Sequence, residues 1–222
     1  VIKSALVLLL IYFVGIAVYS YSLNESNMPP LSDGDLIFQT TNVPHSFAIA
    51  LASGSLYIHT GIIKQSGSGL VVIHAAQTVV ETPLSEWIAR GALKRFSVYR
   101  YKGLGREHTS YILEALKSYY GKPYDDYFSF DNDSIYSSEL EHLAFKQANI
   151  PLGKVEKISS LFVNNSFVSN LIEQRWQSYP ACAGKGYTFD QCYEVMMSQE
   201  VITPASIADD PNVELIFTNY PF

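Results

Sequence analysis

The chain has 222 residues, 48% of them hydrophobic, with 13 glycines, which is enough for one sizeable domain with a buried core. A formal net charge of −6, with no run of Lys or Arg to face phosphates, argues against a nucleic-acid partner. The 16 tyrosines suit β-structure and half-wet clefts but name no substrate.

In chain order, "VIKSALVLLLIYFVGIAVYSYSLNES" comes first, with Lys3 ahead of an apolar run from Ala5 to Val18 and polar residues after it. The pattern predicts a signal-anchor or signal peptide over residues 1–22. The run ends in Val18, Tyr19, Ser20 and Tyr21, a poor cleavage site, which favours the anchor. The positive-inside rule then places everything after it outside the cytoplasmic membrane, anchored there, or secreted if the segment is cleaved. Residues 23–33 read as a Pro-stiffened linker ending in the Asp33-Gly34 turn, and residues 34–222 as the folded domain.

Within that domain, Asp35 to Gln39 starts a strand, and Ser46 to Gly54 has helical character with a glycine stop. "SLYIHTGIIKQ" and "GLVVIHAAQTVVETPL" are β-rich runs joined by the hairpin signal "SGSG". "LSEWIARG" reads as a short helix with Ser85 as a possible cap, "RFSVYRY" as a strand, and "GREHTSYILEALKSYYGKPYD" as a helix stopped by Gly121 and Pro123. A further helix follows "NDSIYSSELEHLAF", with Asp133 or Ser134 as the expected cap. A mixed region precedes the tail "VITPASIADDPNVELIFTNYPF", which holds a Pro-opened helix start and a final strand. Strands and hairpins with helices interspersed indicate an α+β fold on an antiparallel sheet.

Three side chains could meet in this arrangement. His59 and Gly61 share one strand face, which leaves space beside the imidazole, and a hairpin could bring His74 alongside. Ser137 lies in the first turn of its helix, where the dipole and unpaired N–H groups favour a developing anion. A serine there is equally an ordinary first-turn residue, and a lone His is more often packed than catalytic. Glu139 and Glu141 suit a helix N-terminus by the same dipole argument and are assigned no chemistry. Cys182 and Cys192 flank a Gly-rich turn with no nearby His or further Cys, so a short disulfide is expected rather than a metal pair.

The segments "GDLIFQ", "HTGII", "IHAAQTVVETPLSEWI", "GKPYDDYFSFDNDSIYSSELEH" and "VITPASI" follow one another as in bacterial YiiX/YebB-like hydrolases, which are permuted papain-like enzymes of the NlpC superfamily. The resemblance covers nearly all of the chain after the apolar run except about residues 164–199. It implies a circularly permuted papain-like fold, with an antiparallel sheet or barrel against helices and the N-terminal hydrophobic helix added. It also implies a thiol-type amidase or peptidase that works by acyl transfer without metal or organic cofactor. By motif, His59 matches the general base and His74 the orienting residue. Ser137 matches the nucleophile, and Tyr124 and Tyr136, with Gly61, fall at the substrate cleft. The family pattern resembles Tyr-Cys-Ser-Glu where this chain reads Tyr136-Ser137-Ser138-Glu139. Three readings follow: a substitution that traps an inactive form, a non-catalytic relative that binds what its cousins cut, or a working serine nucleophile. The implied partners are an envelope substrate, either a peptidoglycan peptide or an acyl lipid, and the membrane through residues 1–22. The rival is an inactive envelope binding module, or a lipid acyl hydrolase or acyltransferase on the same fold.

Overall fold

The computed structural model describes residues 7, 9–13, 15, 28–41, 46–130 and 132–221. The expected anchor over residues 1–22 lies largely outside these. Its described residues are helical and exposed, and among the described residues no helix is long and apolar enough to cross a membrane.

The chain runs β1 (Leu36–Thr41), α1 (Ser46–Ser53), β2 (His59–Ser66), β3 (Gly69–Ala75), β4 (Val79–Pro83), α2 (Leu84–Arg90), β5 (Gly91–Tyr101) and α3 (Arg106–Lys117). It continues with α4 (Ser137–Gln147), β6 (Glu156–Lys157), α5 (Ser166–Arg175), α6 (Phe189–Ser198), β7 (Glu200–Val201), α7 (Pro204–Ala208) and β8 (Val213–Thr218). Six strands form one antiparallel sheet in the order β4-β3-β2-β1-β5-β8. Among the described residues β4 and β8 are open edges, so the expected sheet forms but the barrel alternative does not.

Alternation along the strands divides the core. Leu36, Phe38, Ile62, Ile73 and Ala75 face α3 and α4, joined by Ile112, Leu116, Leu140 and Phe145. On the other face Ile37, Ile63, Val72 and Val98 pack under Trp87 and Ile88 of α2. Residues two apart on a strand share a face, so one chain supplies both layers. Each such fully buried aliphatic contributes on the order of 1.5–3 kcal/mol. A third cluster holds Val168, Ile172, Tyr179, Met196 and Met197 around the Cys182–Cys192 disulfide, whose Cα atoms are 5.7 Å apart. It is built mainly from the stretch that diverges from the resemblance.

Several local expectations shift. The second β-rich run divides into β3 and β4 at a tight turn, where Ala76 N–H donates to the Thr78 carbonyl. The α2 N-cap is Pro83, not Ser85, because Leu84 already begins the helix. The N-cap of α4 is Tyr136, not Asp133 or Ser134. Ile135 is held in a bridge with Tyr124, donating its N–H to the Pro123 carbonyl, so the chain stays extended until that point. The described end of the expected linker, from Met28, packs on the sheet, with Leu31 buried in the α2-side cluster. Domain contacts therefore begin before residue 34.

Candidate active site

The site lies at one end of the sheet, where β2 begins at His59 and β3 ends at Ala75. The helix α4 packs against these strands and brings Ser137, its first residue, to the same end. Asp125 holds the approach to that helix. Its carboxylate accepts from the N–H groups of Tyr127 and Ser129 and from Asn132 Nδ2, folding the aromatic loop back on itself. Ser138 donates to the Ile202 carbonyl and Tyr136 Oη accepts from the Ile202 N–H, tying the helix start to the strand before α7. Glu139 reaches back to accept the Tyr136 N–H, as an acidic third residue does at many helix starts.

Ser137 Oγ lies 2.9 Å from His59 Nδ1. His59 Nε2 lies 2.9 Å from His74 Nδ1, and His74 Nε2 lies 2.8 Å from Thr82 Oγ1 on β4. In the direction that makes His59 a base, the Ser137 hydroxyl donates to Nδ1. Each imidazole N–H then donates to the next group outward. The two rings meet edge to face, and Trp87 lies almost parallel to His59 at 5.7 Å, fixing that ring from the side. Burial and the Arg90 charge lower His59 from 6.5 to about 4. Burial first, then the charges of His59 and Arg90, lower His74 to about 3. Both imidazoles are therefore neutral near pH 7.

The backbone N–H groups of Ser137, Ser138 and Glu139 precede the first α4 bond, from Leu140 N–H to the Tyr136 carbonyl, at 3.0 Å. Helix geometry gives first-turn N–H groups no intrahelical acceptor at this end, where the dipole favours an anion. A second link spans the same two elements one step away. Thr60 Oγ1 lies 2.7 Å from Glu141 Oε1 and 3.0 Å from the Ile37 carbonyl. A single hydroxyl proton cannot serve both acceptors, and Glu141 is completely buried with Oε2 unpartnered. Burial holds its carboxyl well above the usual carboxylate range. The consistent assignment is a protonated Glu141 donating to Thr60, which donates to Ile37.

Ser137 opens onto a cavity of about 160 Å³. Tyr124 and Tyr136 line it beside Ser137, and the far wall is Ile172, Tyr179 and Met196 of the third cluster. The lining is almost wholly apolar, with Asp126 and Arg175 its charged members. Gly61 is not part of it. Its missing Cβ would fall 2.9 Å from the Ile73 carbonyl and 3.1 Å from His74 Cβ, and would collide with Val72. The glycine therefore allows close strand packing under His74 and does not open space beside His59.

The alternation pattern and the helix start pointed to Ser137, His59 and His74, and the structure brings all three together. It adds Thr82, Trp87 and Arg90, which the sequence reading passed over. Thr82 was within reach of strand logic, since β4 pairs with β3 and Thr82 shares the His74 face. No sequence signal identified Trp87, because its role depends on how α2 lies across the sheet.

An open antiparallel sheet, with a histidine at a strand end facing the first residue of a helix, is the arrangement of the papain-like class, with the Ser137 hydroxyl here where that class has a thiol. The chain belongs to the family described as "Permuted papain-like amidase enzyme, YaeF/YiiX, C92 family", which matches residues 30–217. It is 28% identical over 190 residues to "Uncharacterized protein YiiX" of Escherichia coli (strain K12), covering 85% of this chain and 87% of that protein. It is also similar to the solved "Crystal structure of metalloprotein yiiX from Escherichia coli O157:H7, DUF1105". That match has a TM-score of 0.74 and 28% identity, and covers 84% of this chain and 97% of that one. That relative is described as a metalloprotein. Among the described residues here, no three His, Cys, Asp or Glu side chains are grouped to hold a metal ion. His59 and His74 are engaged with each other, Ser137 and Thr82, and the cysteines are joined. Among the described residues the donor set does not fit a metal.

Proposed function

We propose that this chain is a cell-envelope acyl-transfer hydrolase with its nucleophile at position 137. The observation that carries the reading is the Ser137–His59–His74 line at the start of α4. His59 Nδ1 takes the hydroxyl proton as Oγ bonds to the substrate carbonyl carbon. The oxyanion is held by the first-turn N–H groups, and the imidazolium returns the proton to the leaving amine or alcohol. Water, deprotonated by the same imidazole, then releases the acyl group and regenerates Oγ–H. His74 orients His59 and fixes its tautomer, with Thr82 behind it. Without a carboxylate in the line, the imidazolium is weakly supported, so serine at 137 gives a slow enzyme where a thiol would give a fast one. Among carbonyl substrates, an acyl lipid is favoured over a peptidoglycan peptide by the apolar cavity beside Ser137, which offers little to hydrogen-bond a peptide.

The test is covalent labelling followed by intact mass. An alkyl fluorophosphonate should modify the protein slowly at Ser137, and His59→Ala should abolish it. Ser137→Cys should react with iodoacetamide faster than an ordinary exposed thiol, and adding His59→Ala should slow that reaction. A Ser137→Cys thiol that titrates near ~8.5 and ignores His59 would make the chain a binding module instead.

A further inference from the structure

We infer that the outer face of α1 and α5, with the loop before α5, is a surface that docks on a lipid bilayer. The inference rests on the acyl-lipid reading above. The chain carries 15 Lys+Arg and 21 Asp+Glu, yet none falls within residues 36–63 or 158–172. The fold brings parts of these two charge-free stretches together. Phe162 N–H donates to the Ala52 carbonyl at 2.9 Å, and the rings of Phe47 and Phe167 meet edge to face at 4.8 Å. The three aromatics stand on the surface, with Phe47 56%, Phe162 73% and Phe167 54% exposed.

The helix α1, "SFAIALAS", is apolar around its circumference. Such a helix belongs in a core or in lipid, and this one has a core on only one side. Its inner face, through Ala48, Ile49 and Ala52, lines the cavity that reaches Ser137, and α5 does the same through Val168 and Ile172. The elements that wall the cavity thus present aromatic side chains outward from stretches that carry no charge, with Glu173 and Arg175 confined to the last turn of α5. Seated on a bilayer, this face lets a lipid chain pass into the cavity without crossing water, whereas seating on a folded protein would block that path. Phenylalanines at this density on a charge-free patch match the buried side of an interfacial surface. The apolar run of residues 5–18 would hold the domain close to the same bilayer.

The test uses the full chain with an environment-sensitive NBD dye on Asn164→Cys, which sits in the patch and leaves the three aromatics intact. The control is the same dye on Glu114→Cys, exposed on α3. Vesicles of phosphatidylethanolamine and phosphatidylglycerol should brighten the 164 probe several-fold, and lipid-borne spin labels should quench it, while the 114 probe does neither. Equal response at both positions, or none at 164, overturns the proposal. A 164 probe already bright without vesicles also overturns it. A doubled sedimentation mass would then identify a second copy as the cover, and a monomer mass would identify the chain's own apolar segment. A dansylated fatty acid tests the cavity separately, with Ile172→Trp expected to abolish its binding. Acyl binding with a silent 164 probe removes the surface and keeps the lipid reading. A bright, quenched 164 probe without acyl binding does the reverse.

Discussion

Replacing Glu141 with glutamine should flatten the dependence of stability on pH. Glu141 ionises at about 4.5 in an unfolded chain, and burial holds it well above that when folded. Between those values the folded protein keeps a proton that the unfolded chain releases. Stability is therefore highest below the unfolded value and falls as pH rises towards the folded one. One proton is worth about 1.4 kcal/mol per pH unit. Above the unfolded value the wild type should thus lose stability relative to Glu141→Gln, by up to about 1.4 kcal/mol per pH unit for as long as the folded protein keeps that proton. Glu139, raised to about 8 chiefly by burial, adds a parallel loss. His59 and His74 act oppositely, because the unfolded chain takes up protons below 6.5 that the folded one refuses. Both contributions cancel in the difference between the two proteins. The assay is urea unfolding of both proteins at several pH values, compared as the slope of the free-energy difference. Parallel curves would mean that Glu141 is ionised in the fold, and the proton assignment through Thr60 to Ile37 would be wrong. The consequence reaches the site, because Glu141 lies one turn beyond Ser137 and Thr60 adjoins His59.

With His59 at about 4, fluorophosphonate labelling of Ser137 should stay on a plateau down to about pH 5 and fall below it, since the neutral imidazole is the base; an inflection near 6.5 would place His59 in water. Reducing the Cys182–Cys192 bridge, which closes a loop of sequence separation 10, should lower stability by roughly 3 kcal/mol in the chain-entropy picture. It should also weaken dansylated fatty-acid binding, because Tyr179, Met196 and Met197 of that cluster wall the cavity; unchanged binding after reduction would separate the bridge from the cavity.

Local chemistry made part of this protein legible. The "SGSG" turn set the β2–β3 hairpin, and its register made His59 and His74 neighbours, because pairing and side-chain alternation are short-range rules. The extended run before Tyr136 and the polar first turn of α4 announced a helix start, though the cap fell later than propensity suggested, since a tertiary bridge at Ile135 overrode the local preference for Asp133 or Ser134. Motif order carried the family, and it singled out His59, His74 and Ser137, which the fold brings together. Other features depend on contacts between residues far apart in the chain, which no local pattern encodes. Trp87 reaches His59 only because α2 crosses the sheet, and Glu141 meets Thr60 across 81 residues. The stretch from 164 to 199 showed no function in sequence, yet its Ile172, Tyr179 and Met196 close an apolar cavity over Ser137. A cavity is the space left between surfaces that different segments bring together, so its shape and polarity exist only once those segments have packed.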